Sequence, residues 1–172
     1  MLLSDSLARL TLVLGGARSG KSRHGEMLLM QAPAPWTYLA TAQAFDAEMQ
    51  ARIAEHQARR EAGWHTLEAP LDLAGALLAA ATPVLVDCLT LWLTNLMLGE
   101  HDIAAAIAAL DHALDQRAAP TVLVASEVGL GIVPDNALAR AFRDHAGRLN
   151  QRMAARADRV AFMVAGLEMR VK

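Results

Sequence analysis

Residues 15 to 22 read Gly15-Gly16-Ala17-Arg18-Ser19-Gly20-Lys21-Ser22, the spacing GxxxxGK[ST]. Glycines so placed let the backbone curl until successive N–H groups converge on a phosphate, and a helix opening near Lys21 adds its positive end. Lys21 contributes a point charge for the outer phosphates, and the Ser22 hydroxyl is an oxygen ligand for Mg2+. The bland alternative is a glycine-rich turn whose lysine faces solvent. Thr11-Leu12-Val13-Leu14 directly before the motif and a helical pattern directly after it favour the phosphate loop. Such a site also needs an acid at the end of a neighbouring strand to hold the metal, and Val84-Leu85-Val86-Asp87 offers Asp87. The competing role for Asp87 is to cap the helix that follows, which Thr90 can also do.

A second chemical segment runs from Asp46 to Arg60. Asp46 can cap its start, and on a helix Arg52, His56 and Arg60 share a face, with Arg59 beside them. Guanidiniums around an imidazole make a seat for phosphate and disfavour the protonated ring, leaving a neutral nitrogen able to attack phosphorus. Spacing alone leaves the commoner explanation open, a solvated face that carries one histidine. His24, His65, His101, His112 and His145 form no pair at metal-ligand spacing, so no zinc site is assigned. His24 could lie near the phosphate loop, but a surface position on the first helix is the commoner reading, and Met27, Leu28 and Met30 read as core.

The elements that must position these groups are short apolar runs at Leu10 to Leu14, Trp36 to Ala40, Val84 to Val86, Thr121 to Ala125 and Val160 to Val164. Between them lie helical patterns at Lys21 to Met30, Ala47 to Glu61, Leu71 to Ala80, Leu89 to Leu98, Ile103 to Arg117 and Asn136 to Arg156. Strands alternating with helices predict an α/β fold, a mainly parallel sheet flanked by helices. Ala165-Gly166 can turn the last strand back into Leu167 to Val171 as a C-terminal antiparallel hairpin.

The 172 residues suit one domain, read here as a short extension over residues 1–10 and a nucleotide-binding catalytic domain over 11–172. With 54% hydrophobic and 20% charged residues the chain is not of the disordered class, and a net charge of -2 argues for a small-molecule substrate and against nucleic acid. A single cysteine, Cys88, predicts a buried structural thiol in a reducing compartment. Neither a leader nor a membrane-length apolar stretch is evident, so a cytoplasmic protein is expected.

Taken together, residues 15–23, Ala40-Thr41-Ala42, Asp46 to Arg60, Trp64 to Glu68, Asp87 to Asn95, Glu127 to Pro134 and Arg140 to Gln151 resemble the bifunctional adenosylcobinamide kinase and adenosylcobinamide-phosphate guanylyltransferase family of cobalamin biosynthesis. A lone phosphate loop is common; this ordered set is specific, and it covers nearly everything from Leu12 onward. The resemblance implies a RecA-like P-loop domain assembled as a homotrimer. It implies phosphorylation of adenosylcobinamide by ATP or GTP, then transfer of GMP from GTP to adenosylcobinamide-phosphate through a guanylylated histidine, which here is His56. It places nucleotide binding at Gly15, Gly16, Ala17, Arg18, Ser19, Gly20, Lys21, Ser22, Ala40, Thr41, Ala42, Gln57, Ala58, Arg59, Arg60, Glu68 and Asp87, with Lys21 catalytic and Ser22 and Asp87 toward Mg2+. Glu68 can accept from guanine N1–H and N2–H, although local sequence fits a surface glutamate after a short strand equally well. Glu127 is a candidate for handling the hydroxyl proton in the kinase stage. Ser126 and Asp87 stand where some family members carry Asn and Glu. Rival readings are a kinase in which His56 is a spectator, a RecA-like ATPase or assembly module switched by nucleotide, and a non-catalytic nucleotide-binding regulator.

Overall fold

A computed structural model describes residues 7–43 and 62–172. The described elements run β1 (Leu10–Gly15), α1 (Lys21–Leu29), β2 (Trp36–Ala40), β3 (Trp64–Glu68), α2 (Leu73–Ala79), β4 (Val84–Asp87), α3 (Leu89–Leu98), α4 (Ile103–Gln116), β5 (Thr121–Ser126), α5 (Ala137–Arg156), β6 (Arg159–Val164) and β7 (Leu167–Arg170). They build one seven-stranded sheet in the order β3-β2-β4-β5-β1-β6-β7. Every pairing is parallel except β6 with β7, which is the expected antiparallel hairpin.

The central strands read as unbroken apolar runs because both of their faces are covered. Leu10 and Leu12 of β1, Val84 and Val86 of β4, and Leu123 and Ala125 of β5 enter one core with Leu73, Leu77, Trp92, Leu110, Leu114, Leu149 and Met153 from α2 to α5. Val13, Leu85, Val122 and Val124 point the other way and meet Leu28 and Leu29 of α1. Gly25 lets α1 lie close on that face, since a Cβ there would stand 2.9 Å from Leu85 Cδ1 and 3.3 Å from Val122 Cγ1.

Helix starts show how the site is prepared. Asp72, Asp102 and Asn136 accept from Gly75, Ala105 and Ala139 N–H and so close α2, α4 and α5. Cys88 Sγ accepts from Leu91 N–H at 3.4 Å and does the same for α3, so neither Asp87 nor Thr90 is that helix's cap. Helix α1 begins at Gly20 with no side-chain cap. Its first N–H groups are therefore left for something other than the protein's own side chains.

Differences from the expected elements are mostly single residues at the ends, with one omission. Strand β3 carries no apolar run because it is an edge strand whose residues from His65 to Glu68 are exposed. The segment from Asp46 to Arg60 lies outside the described residues.

Candidate active site

The phosphate loop joins β1 to α1 as the motif requires. Gly15 is squeezed, since a Cβ would fall 2.6 Å from Ser19 Oγ and 2.7 Å from the Met163 carbonyl. Gly20 takes a left-handed φ of 93° and Arg18 one of 53°, the kind of local reversal that turns N–H groups inward into a nest. The Gly15 carbonyl accepts from Glu127 N–H at 3.0 Å and the Ser19 carbonyl from Gly166 N–H at 3.1 Å. In a trans peptide the C=O and the next N–H point opposite ways, so these outward carbonyls aim the Gly16 and Gly20 N–H groups inward. Among the described residues Ser19 Oγ is buried with no hydrogen-bond partner. A buried hydroxyl left alone is costly, and a phosphate oxygen would relieve that cost.

Lys21 donates to the Gly16 carbonyl at 2.6 Å, which lays its ammonium across the loop. Burial pushes its pKa down, while the nearby Cys88 and Asp87 push it up. Lys21 at the start of α1 and Asp87 at the end of β4 thus act on each other electrostatically although they lie far apart in sequence.

Asp87 ends β4, and β5 lies between β4 and β1, so the acid stands one strand further out than the neighbouring strand expected from the sequence. Its register links three candidate residues: Ala40 pairs with Glu68 on one side and with Asp87 on the other. Glu68, Ala40 and Asp87 therefore line the carboxyl ends of adjacent parallel strands, where ligands bind in open α/β sheets. Asp87 Oδ2 accepts from Tyr38 OH at 2.6 Å. Thr41 is fully buried; its hydroxyl donates to the Cys88 carbonyl at 2.7 Å and accepts from Cys88 N–H at 2.8 Å. Asn95 Nδ2 donates to the Thr41 carbonyl at 2.8 Å and the Pro70 carbonyl at 2.9 Å, tying the chain after β2 to that after β3.

The end of β5 is held as firmly. Ser126 N–H donates to Thr90 Oγ1 at 2.7 Å and Asn150 Nδ2 donates to the Ser126 carbonyl at 3.2 Å. Glu127 Oε1 accepts from Gly129 N–H at 2.6 Å, and Arg143 donates to the Gly129 carbonyl at 2.9 Å. Glu127 follows the loop's central strand pair directly, one hydrogen bond from Gly15.

A family profile described as cobinamide kinase / cobinamide phosphate guanyltransferase (CobU) matches residues 11–171. The chain belongs to this family. The bifunctional adenosylcobalamin biosynthesis protein CobP of Pseudomonas aeruginosa is 50% identical over 172 residues, covering 94% of this chain and 96% of that protein. The CobU proteins of Salmonella typhimurium and Escherichia coli, with the same description, are 46% and 42% identical over 179 residues, covering 94% of this chain and 98% of each relative.

In this cobinamide kinase / guanyltransferase chain residues 15 to 22, Ala40, Thr41, Ala42, Glu68 and Asp87 lie at or just beyond the carboxyl ends of β1, β2, β3 and β4; Ala40, Glu68 and Asp87 are register neighbours, and the phosphate loop stands two strands from Asp87 and four from Glu68. His56, Gln57, Ala58, Arg59 and Arg60 lie outside the described residues. Tyr38, Thr41 through its side chain, and Asn95 are the supporting groups that the residue pattern did not single out. Their signal is weak in sequence, because each acts on a partner more than 40 residues away. His24 is not the surface residue expected: its side chain is 12% exposed and faces Glu168 Oε2 at 3.3 Å. Met27, expected in the core, is 48% exposed.

Proposed function

We propose that this chain phosphorylates adenosylcobinamide with ATP or GTP and then guanylylates the product, using residues 11–172 as one catalytic domain in the cytoplasm. The observation that carries the nucleotide half is the uncapped start of α1 behind a loop with an unpartnered buried hydroxyl, Ser19 Oγ. Family membership supports the acceptor.

In the kinase stage the triphosphate lies on the Gly16 to Gly20 N–H groups, with Lys21 leaving the Gly16 carbonyl to follow the γ-phosphoryl group. The Ser22 hydroxyl and the Asp87 carboxylate are hard oxygen donors suited to Mg2+, and a magnesium ion held there would neutralise charge on the phosphates. Tyr38 fixes one Asp87 oxygen and leaves the other for that role. Glu127 takes the proton of the acceptor hydroxyl.

In the guanylyl stage a neutral His56 nitrogen attacks the α-phosphorus of GTP; the N–P bond forms, the α–β bridge breaks and pyrophosphate leaves. A phosphate oxygen of adenosylcobinamide-phosphate then attacks the same phosphorus, the N–P bond breaks and the imidazole is regenerated. Gln57, Ala58, Arg59 and Arg60 line this nucleotide, the arginines stabilising charge in both transfers. Glu68, exposed at the end of β3, accepts from guanine N–H groups, which selects GTP for this stage.

The test is His56→Ala assayed with α-labelled GTP. GMP transfer and the acid-labile protein label should vanish while phosphorylation of adenosylcobinamide persists. A fully guanylylating variant would sink the assignment, and an unlabelled wild type would favour a kinase alone.

A further inference from the structure

The C-terminal hairpin touches the phosphate loop at several points that the chemistry above does not use. The Gly166 N–H in the β6–β7 turn donates to the Ser19 carbonyl at 3.1 Å. A Cβ on Gly20 would lie 3.5 Å from Gly166 Cα, and one on Gly15 would lie 2.7 Å from the Met163 carbonyl of β6. One turn into α1, His24 Nε2 faces Glu168 Oε2 of β7 at 3.3 Å, and Arg159 of β6 donates to Glu168 Oε1 at 2.6 Å. Glu168 and Arg159 are only 24% and 17% exposed, so their ion pair is poorly screened by water, and the His24 ring, 12% exposed and kept from protonation by burial, packs its Nε2 edge against that pair without a hydrogen bond.

We propose that the hairpin is a working wall of the nucleotide site, with Glu168 as the positioning residue that holds the β6–β7 turn against the loop through His24. The chain of cause is short. Glu168 pairs in register with Met163, so fixing it fixes the end of β6 and the turn beyond. The turn's Gly166 N–H then holds the Ser19 carbonyl outward, and peptide planarity aims the Gly20 N–H at the phosphate. Released, that peptide is free to rotate and the nest loses a donor. Loss of Glu168 should therefore weaken nucleotide in both stages and spare the chemical step once nucleotide is bound. Donors that act on the ground state and transition state alike change KM and leave kcat.

The inference rests on the nucleotide-site reading, and its experiment separates the two. The full chain and its Glu168→Ala, Glu168→Gln, His24→Leu and His24→Leu/Glu168→Ala variants are compared for Kd of a non-hydrolysable GTP analogue with Mg2+, for kinase KM and kcat, and for Tm. We expect Kd and KM to rise about tenfold in Glu168→Ala with kcat within twofold. Glu168→Gln, which keeps an oxygen for His24 and Arg159, should stay within threefold of wild type. The double variant should bind no more weakly than the weaker single, because both remove one linkage. Wild-type affinity in folded Glu168→Ala, a multiplicative double variant, or a change in Tm alone would each overturn the proposal. Failure of the wild type to bind the analogue would instead overturn the site itself.

Discussion

At the residue scale, Lys21 and Cys88 show what burial does to two groups of the same site. Lys21 is the cation of the loop, and replacing it by methionine keeps the stem but removes the charge. Lys21→Met should lower kinase kcat by about 10²–10³-fold, as loss of one transition-state donor does, read by steady-state assay at saturating nucleotide. Cys88 is buried, caps α3, and has its thiol pushed from 9.0 up to about 11, chiefly by desolvation and then by Asp87. It should resist alkylation in the folded protein at pH 8 and react on unfolding, scored by mass spectrometry. The sign of the linkage follows: between those two pKa values the folded thiol keeps a proton that the unfolded one releases. Cys88 therefore favours the unfolded chain increasingly as pH rises from about 9 to 11, and urea midpoints should fall over that window. The loop and its lysine were legible in sequence because their chemistry is contiguous. The Tyr38–Asp87 and Thr41–Cys88 bonds were not, since strand pairing alone brings those residues together.

At the element scale, α1 is placed by the absence of a side chain. Gly25 lies against Leu85 and Val122, so Gly25→Val would force the helix off β4 and β5 at a cost of roughly 1–3 kcal/mol. Because Lys21 opens the same helix, the displacement should also weaken nucleotide binding, measured by urea denaturation and by calorimetry with the GTP analogue. The buried strands and long helices were legible from their apolar runs, with ends off by a residue or two. Strand β3 was not: with only Trp64 half-buried and His65 to Glu68 exposed, Trp64-His65-Thr66-Leu67-Glu68 has only its β-branched and aromatic residues as a signal. The same exposure lets Glu68 serve a ligand.

On the scale of the whole molecule, parallel pairing was predictable, but the strand order was not. Insertion of β5 between β1 and β4 is a long-range fact that no local run encodes. The loop after β5 leaves Leu130, Ile132 and Val133 81%, 97% and 61% exposed, with Leu98 and Leu138 also open. Exposed apolar residues of this kind support an interface, and we propose that the homotrimer implied by the family resemblance forms through the loop after β5. Wild type should sediment as a trimer and Ile132→Glu as a monomer; a monomeric wild type would overturn the trimer, and a trimeric variant would put the interface elsewhere.

The strand carrying the phosphate loop has a further consequence, for the order in which the protein can form. Among the described residues, β1 pairs with residues 121–126 and 159–163, over a hundred positions later. A chain emerging from the ribosome thus makes its catalytic loop well before the strands that wall it, and non-local pairing of this kind is slow. Until β6 arrives, the loop is an unsupported glycine-rich segment, so nucleotide can recognise only a chain already made through β6.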